Sequence, residues 1–284
     1  MIHIGTCSWK YDSWRGLIYS DSPNINYLKE YSKSYNTVEI DQWFWSLFEP
    51  SRVVLPRKNV VEAYKKSIPN DFLFTIKVPN SITLTHYYKR NKKEELKPNP
   101  FFLSVDLFNQ FLDSINPLLK NIGCLIFQFE YLNKQKMKSL KEFQNKFYEF
   151  RKSLGTKIPQ IGLEIRNPNY LNTSYFQFLN ELNVAAVFLE GYYMPPVVDI
   201  YKKNKCDIKN LAVIRLHGPD RKGIEKIANE NWNKIYVNRD KEIKQIVEMI
   251  KDLEKDEVDL FVNVNNHFEG SSPLTIEKIK SHLN

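Results

Sequence analysis

The sequence lacks several features that would assign its class at once. No apolar run approaches the roughly 20 residues that a membrane-spanning helix needs, so we expect no membrane segment. Residues 1–5 include no basic region leading into an apolar stretch, so we expect no secretory signal. There are only three cysteines, Cys7, Cys124 and Cys206, an odd number at wide spacing. This argues against a disulfide framework and favours reduced thiols in a cytoplasmic protein.

Several chemical motifs are missing as well. No Gly-x-Gly-x-x-Gly follows a strand-like run, which disfavours a dinucleotide-binding sheet. There is no phosphate-binding loop of the P-loop type and no serine nucleophile elbow. Without His-x-x-x-His or Cys-x-x-Cys spacing, a divalent metal is conceivable from scattered ligands but is not favoured, and no cofactor is assigned.

What is present is an ordinary globular composition with a basic balance. The 284 residues are 42% hydrophobic and 26% charged, with a formal net charge of +8, which excludes global disorder and permits anionic partners. Much of the lysine lies on stretches that read as helix surfaces, such as Lys134–Lys146 and Lys241–Lys255. No basic run is interleaved with aromatic residues as in a stacking platform. Nucleic acid is therefore kept as an alternative partner but is not favoured, and the oligomeric state stays open.

Strand-like and helix-like segments alternate along the whole chain. The predicted strands are Ile2–Ser8, Thr37–Trp43, Phe72–Val78, Cys124–Phe129, Ile161–Arg166, Val184–Glu190, Ala212–His217 and Asp259–Asn265. The amphipathic segments between them are Asn24–Ser34, Leu55–Ser67, Val105–Lys120, Gln135–Leu154, Ser174–Leu182, Lys241–Glu254 and Leu274–Leu283. This pattern predicts a single α/β domain over residues 1–284, a closed (β/α)₈ barrel with parallel strands. A doubly wound open sheet is the alternative.

Two connections depart from this rhythm. Tyr192–Asn210 has the least helical pattern of any link between strands. Asn80–Pro100 is the longest loop-like stretch and contains the basic run Tyr87–Lys93. It is either a solvated insertion or a mobile basic lid over an anionic ligand at the catalytic rim.

Polar residues close the predicted strands on a single face. Side chains two apart along a strand share a face, and in most of these series the small or apolar residues come first and the ionisable or amide residues last. The series are Thr37, Glu39, Asp41; Thr75, Lys77; Ile126, Gln128; Gly162, Glu164, Arg166; Val213, Arg215, His217; and Phe261, Asn263, Asn265, His267. Because the carboxyl ends of barrel strands build the active site, we expect these groups from six strands to meet at one mouth.

Burying unpaired charges is costly, so these groups need partners or a ligand. One interpretation is a buried salt-bridge network, and the other is a polar pocket that holds a ligand. In the second interpretation the candidate catalytic residues are Glu39, Glu164, Lys77, His217 and His267. The candidate substrate-binding residues are Asp41, Gln128, Arg166, Arg215, Asn263, Asn265 and Trp9.

Aromatic residues cluster after the first two predicted strands. They are Trp9, Trp14, Tyr19, Trp43, Phe44 and Trp45. Core packing accounts for most of them, although aromatic residues at a barrel mouth also stack on sugars or bases.

Ordered motifs along the chain resemble those of a known family. They are residues 4–9 (IGTCSW) with Trp14-Arg15-Gly16 and Tyr19, 36–40 (NTVEI), 74–79 (FTIKVP), 125–128 (LIFQ), 163–168 (LEIRNP), 215–218 (RLHG), 265–270 (NNHFEG) and 273–275 (PLT). Together they resemble the DUF72 family, also called YecE-like or UPF0759, over nearly the whole chain. The resemblance implies a TIM-barrel-like fold but no reaction. Cys7, Asp41 and Asn167 depart from the residues usual in the family, and Asn167 weakens any mechanism that needs a base there.

The leading hypothesis is an enzyme that uses acid–base chemistry on a small polar substrate, with an anion bearing a phosphate or carboxylate group as the favoured class. Glu39 and Glu164 would share the acid and base roles, with one pKa raised by its neighbours. Lys77, Arg166 and Arg215 would bind the anion, and His217 and His267 would assist proton transfer. The alternatives are a metal-dependent phosphodiesterase or nuclease, and a non-catalytic ligand- or nucleic-acid-binding barrel.

Overall fold

The computed structural model describes residues 1–89, 91 and 93–283. Its strands are β1 (Ile2–Cys7), β2 (Thr37–Ile40), β3 (Leu47–Phe48), β4 (Arg52–Val53), β5 (Leu73–Lys77), β6 (Ile122–Phe129), β7 (Ile161–Ile165), β8 (Ala185–Gly191), β9 (Leu211–Gly218) and β10 (Asp259–Val264). Eight of them close into a parallel barrel in the order β1-β10-β9-β8-β7-β6-β5-β2, while β3 and β4 form a short hairpin after β2. The predicted (β/α)₈ fold is confirmed, and every predicted strand overlaps one barrel strand.

Helices follow the strands around the outside of the barrel. Within the described residues they are α1 (Tyr27–Tyr31), α2 (Lys58–Lys66), α3 (Asn80–Thr83), α4 (Val105–Ser114), α5 (Leu140–Ser153), α6 (Thr173–Glu181), α7 (Val197–Asn204), α8 (Arg221–Ala228), α9 (Asp240–Lys255) and α10 (Ser272–Leu283). Short 3₁₀ turns lie at Asp12–Trp14, Asn116–Asn121, Pro168–Tyr170 and Lys205–Asp207. No helix in the described ranges is long and apolar enough to cross a membrane.

The sequence pattern was misleading in two connections. The link Tyr192–Asn210 contains α7. Val197, Val198 and Ile200 are buried on one face of this helix, and the lysines in the same segment make that apolar face hard to recognise in the sequence. The segment Asn80–Pro100 is not a free loop at either end. Asn80 to Thr85 are buried, and the side-chain amide of Asn99 donates to the carbonyls of Ser81 and Leu84. Two residues of its basic run, Arg90 and Lys92, lie outside the described residues.

The barrel interior is layered. Towards the amino-terminal ends of the strands lies an apolar cluster of Cys124, Ile126, Ala185, Val187, Leu211, Val213 and Phe261. Gly162 belongs to this level, and a Cβ atom there would lie 2.8 Å from both Cys124 Sγ and Val187 Cγ2. Two residues beyond Ile126, Gly162, Val213 and Phe261 stand Gln128, Glu164, Arg215 and Asn263, whereas β8 continues with the apolar Leu189. The apolar layer therefore forms a dry floor beneath a polar layer, in which charges interact strongly.

Candidate active site at the barrel mouth

Arg215 of β9 is the centre of the polar layer. Its guanidinium donates to both carboxylate oxygens of Glu39 on β2, each at 2.7 Å, in a bidentate pair. It also donates to Glu164 on β7 and, at 3.2 Å, to the amide oxygen of Gln128 on β6. Arg215, Glu39 and Glu164 are all at most 1% exposed. A buried guanidinium thus holds two carboxylates together, an arrangement for which its planar fork is suited.

Further hydrogen bonds extend this network to other strands. Arg166 donates to Glu164 at 2.9 Å and to Gln128 at 3.0 Å. The side-chain amide of Asn263 on β10 donates to Glu39 at 3.1 Å and to the hydroxyl of Thr75 on β5 at 2.9 Å. The network therefore joins side chains from six strands, β2, β5, β6, β7, β9 and β10, which is the convergence that the strand pattern predicts.

The network determines the charge of its carboxylates. Burial alone would raise the pKa of Glu164, but the charges of Arg215 and Arg166 outweigh burial and hold that pKa at about 2. The sequence led us to expect a glutamate with a raised pKa, and at Glu164 the shift is in the opposite direction. A carboxylate held this firmly as an anion is a weak base at neutral pH, so Glu164 suits charge balance better than proton transfer.

Lys77 and Asp41 lie on the mouth side of this network. The Lys77 ammonium is 3.9 Å from the centre of the Phe44 ring, and no described carboxylate oxygen lies within 4.0 Å of it. Burial, followed by the charge of Arg215, lowers the pKa of Lys77 to about 8. Burial and then the charge of Glu39 raise the pKa of the Asp41 carboxyl. A cation without an ion pair thus lies near a carboxyl group that retains its proton more readily than usual.

His217 completes the mouth beside this pair. Its Nε2 lies 3.8 Å from Cys7 Sγ, and its Nδ1 lies 3.3 Å from the hydroxyl of Tyr192. Burial, followed by the charges of Arg215 and Arg166, lowers the pKa of His217 well below 6.5. Burial and then Glu39 raise the pKa of the Cys7 thiol. The imidazole and the thiol are therefore both neutral at pH 7, and they can share a proton but do not form an ion pair.

Three of the residues that the sequence predicts for the ligand pocket lie apart from the Arg215 network. His267 and Asn265 were assigned by strand parity, but β10 ends at Val264 and both lie in the turn that follows. The Asn265 side chain accepts from the His267 backbone amide at 2.9 Å, while the His267 ring lies 3.1 Å from Glu225 on α8. Trp9 is buried with its ring 5.1 Å from that of Tyr64. None of these three contacts the Arg215 network among the described hydrogen bonds.

One group of residues could hold a metal ion within the described part of the chain. Ligand atoms of Cys7, Glu39 and His217 all lie within 4.8 Å of one another and are buried. A thiolate, a carboxylate and an imidazole suit Zn²⁺. However, both oxygens of Glu39 already accept from Arg215, whose positive charge would oppose a dication. These three side chains could therefore supply ligands for a metal ion, but the positive charge of Arg215 disfavours metal binding there.

Sequence reasoning missed several residues of the mouth. Cys7 was treated only as a reduced thiol, although parity places it in β1 directly opposite Glu39 in the register. Tyr192 begins the link that has the least helical pattern in the sequence, and its ring is 5.1 Å from the Arg166 guanidinium. Its position directly after β8 was the available signal, since residues that follow barrel strands line the mouth.

Comparisons with known proteins bear on the fold. The sequence matches the family model for "Protein of unknown function DUF72" over residues 3–284. The fold is similar to that of a DUF72 family protein from Enterococcus faecalis V583, with a TM-score of 0.68 and 20% identity over 100% of this chain and 96% of that chain. A DUF72 family protein from Thermotoga maritima MSB8 gives a TM-score of 0.67 and 18% identity over 100% and 99% of the two chains. No curated protein matches the sequence.

Proposed function

The chain belongs to the DUF72 family, whose function is unknown, and we propose that it is an enzyme that binds a small anionic molecule at the barrel mouth and transfers a proton there. The observation that carries this proposal is Lys77, a half-buried lysine whose ammonium has an aromatic ring beneath it and no described carboxylate within 4.0 Å. A phosphate or carboxylate group on the ligand would supply the missing negative charge.

The roles of the neighbouring groups follow from their charge states. Asp41 is the proton-transfer group, since its raised pKa lies closer to neutral pH than that of an ordinary aspartate. Arg166, which keeps part of its side chain exposed, is the second cation that contacts the ligand. Glu39, Glu164 and Arg215 form the rigid layer below and hold these groups in place, as catalytic constellations require.

Binding is tested by titrating inorganic phosphate, sulfate and malonate into the protein at constant ionic strength. Wild type should bind at least one of these anions more tightly than chloride, and Lys77→Met should weaken binding by about tenfold or more. Lys141→Met, which changes an exposed helix lysine, is the matched control and should bind as wild type does. Binding should also decline as the pH rises through about 8, because Lys77 then loses its proton. Equal binding by wild type and Lys77→Met would contradict the proposal.

Catalysis is tested separately from binding. A set of phosphorylated and carboxylated metabolites is incubated with the protein in D₂O and followed by proton and phosphorus NMR. We expect turnover, or deuterium exchange at a carbon, for at least one bound compound, and we expect Asp41→Asn to abolish it while binding persists. If compounds bind but none is turned over or exchanges a proton, the protein is a ligand-binding barrel, and the proposal that it is an enzyme is refuted.

A metal-dependent phosphodiesterase or nuclease is the second candidate, supported by the grouping of Cys7, Glu39 and His217. It predicts stoichiometric Zn²⁺ binding that Cys7→Ser and His217→Ala both abolish. It also predicts phosphodiester cleavage that appears on adding the metal. Anion binding that is unaffected by added Zn²⁺ or by Cys7→Ser favours the first proposal.

A further inference from the structure

Exposed aromatic side chains are concentrated around the barrel mouth. Among the described residues, Trp45 is 63% exposed, Tyr193 59%, Tyr131 50% and Tyr88 49%. Each lies in a connection that leaves the carboxyl end of a barrel strand: β2 for Trp45, β6 for Tyr131, β8 for Tyr193 and, beyond the short helix α3, β5 for Tyr88. Large apolar rings are seldom left in water without a reason when they occur together, and such groups mark binding sites.

These four residues form one arc along the rim. In the barrel β2, β5, β6, β7 and β8 are consecutive neighbours, so the four segments are adjacent in space. The rings pair across segments, with 5.8 Å between the centres of Trp45 and Tyr88 and 6.4 Å between those of Tyr131 and Tyr193. The missing strand of the arc, β7, contributes Arg166 just after its end. We call Trp45, Tyr88, Tyr131 and Tyr193 the aromatic rim.

The aromatic rim is connected to both cations of the proposed site. On one side, the Lys77 ammonium lies over Phe44, whose ring is 5.2 Å from Trp45. On the other side, the Arg166 guanidinium lies 5.1 Å from the centre of the ring of Tyr192, which directly precedes Tyr193. A cavity of about 200 Å³ beside Tyr88, lined also by Phe48 and Leu84, leaves room next to the rings. The described lining of this cavity also includes Leu47, Glu49 and Tyr87 but no lysine or arginine, so it offers space beside one ring of the rim.

The separation of rings and cations restricts the ligand. The Lys77 ammonium is 3.9 Å from the centre of the Phe44 ring, and that ring is 5.2 Å from the Trp45 ring, so Phe44 links the cation to the rim. A ligand that uses both needs an anionic group, a spacer and a flat ring. Phosphate, ribose and base follow in this order in a nucleotide, and bases stack on exposed Trp and Tyr rings irrespective of their identity.

We propose that the barrel mouth binds a nucleoside phosphate, with the phosphate at Lys77 and Arg166 and the base stacked on the aromatic rim. This inference rests on the proposed function, since it uses the same anion site and names its ligand class. The nucleoside phosphate is either a free mononucleotide or one unit of a single-stranded oligonucleotide.

The test compares nucleotides with smaller anions by calorimetry. AMP, GMP, CMP and UMP are titrated, alongside ribose 5-phosphate, inorganic phosphate and a ten-residue oligothymidylate. At least one nucleotide should bind more tightly than ribose 5-phosphate, because only the nucleotide has a base to stack. Trp45→Ala and Tyr193→Ala should reduce the ratio of nucleotide to phosphate affinity by about 5- to 150-fold, the usual worth of one stacked base. Trp45→Phe and Tyr193→Phe should largely restore the ratio, since a ring remains.

The control is Tyr148→Ala, which removes a half-buried tyrosine from α5 on the outside of the barrel. It should leave the ratio unchanged. Nucleotides that bind no better than ribose 5-phosphate, or a ratio insensitive to Trp45→Ala and Tyr193→Ala, would overturn the inference while leaving anion binding intact. No binding of phosphate or any nucleotide by wild type would instead overturn the proposed function itself. If the oligonucleotide binds more tightly than the mononucleotides and its affinity falls steeply with salt, the nucleoside phosphate that the site binds is a unit of a single strand.

Discussion

Replacing Lys77 by methionine should make the protein more stable at neutral pH. Burial has lowered the pKa of this lysine from 10.5 to about 8, so the folded state disfavours the ammonium relative to the unfolded state. Each pKa unit corresponds to about 1.4 kcal/mol, so the decrease of about 2.5 pKa units sets an upper limit of about 3.5 kcal/mol. Because the side chain keeps some exposure, we expect a gain of about 1–3 kcal/mol and a rise in melting temperature of about 2–8 °C.

The pH dependence of this gain follows from the direction of the shift. Between pH 8 and 10.5 the unfolded wild type binds more protons at Lys77 than the folded protein does, so wild-type stability rises with pH in this window. The advantage of Lys77→Met should therefore be complete below about pH 7.5 and should shrink as the pH approaches 10.

Urea denaturation of wild type and Lys77→Met at pH 7, 8, 9 and 10 measures this difference directly. Lys141→Met is the control for a general effect of removing a lysine and should differ from wild type by less than about 0.5 kcal/mol at each pH. A variant that is less stable than wild type at pH 7 would refute the reasoning, because it would mean that Lys77 stabilises the fold. A gain together with lost anion binding would identify a group that is retained for function at the expense of stability.

Three further predictions concern the polar layer. Arg215→Met should destabilise the protein by about 3–5 kcal/mol in urea denaturation, because two buried carboxylates lose their partner, and a loss below 1 kcal/mol would contradict this. The carboxyl carbon signal of Glu164 should titrate near pH 2, and stability from this group should be present above about pH 4.5 and decline as the pH falls towards 2; titration near pH 4.5 would refute the network. Iodoacetamide at pH 8 should modify exposed Cys206 in the native protein but not buried Cys7, whose pKa is raised, and mass spectrometry that finds Cys7 modified first would be inconsistent with the site.

Much of this fold was predictable from local sequence. The strands at residues 37–40 and 161–165 are short apolar runs interrupted by a single glutamate, and period-two alternation places that glutamate inward. The same reasoning located Lys77, Gln128, Arg166, Arg215 and Asn263 on the inner face or at the mouth. It failed at Asn265 and His267 because parity holds only while a strand continues, and the register of β10 with β9 ends at Val264.

The charge states of the carboxyl groups at the strand ends could not be predicted from the sequence. Glu39, Glu164 and Asp41 are all strand-end carboxylates in the sequence, and nothing local distinguishes them. The pKa of Glu164 is lowered because this residue lies against Arg215, 51 positions away in the chain, whereas burial raises the pKa of Asp41. The sequence by itself determined the alternation of strands and helices and which residues point inward, because these depend on neighbours along the chain. Only the tertiary structure decided which carboxyl group is held as an anion, that Lys77 lies over the Phe44 ring, and which aromatic rings meet at the rim. These features depend on distances between strands that chain closure brings together.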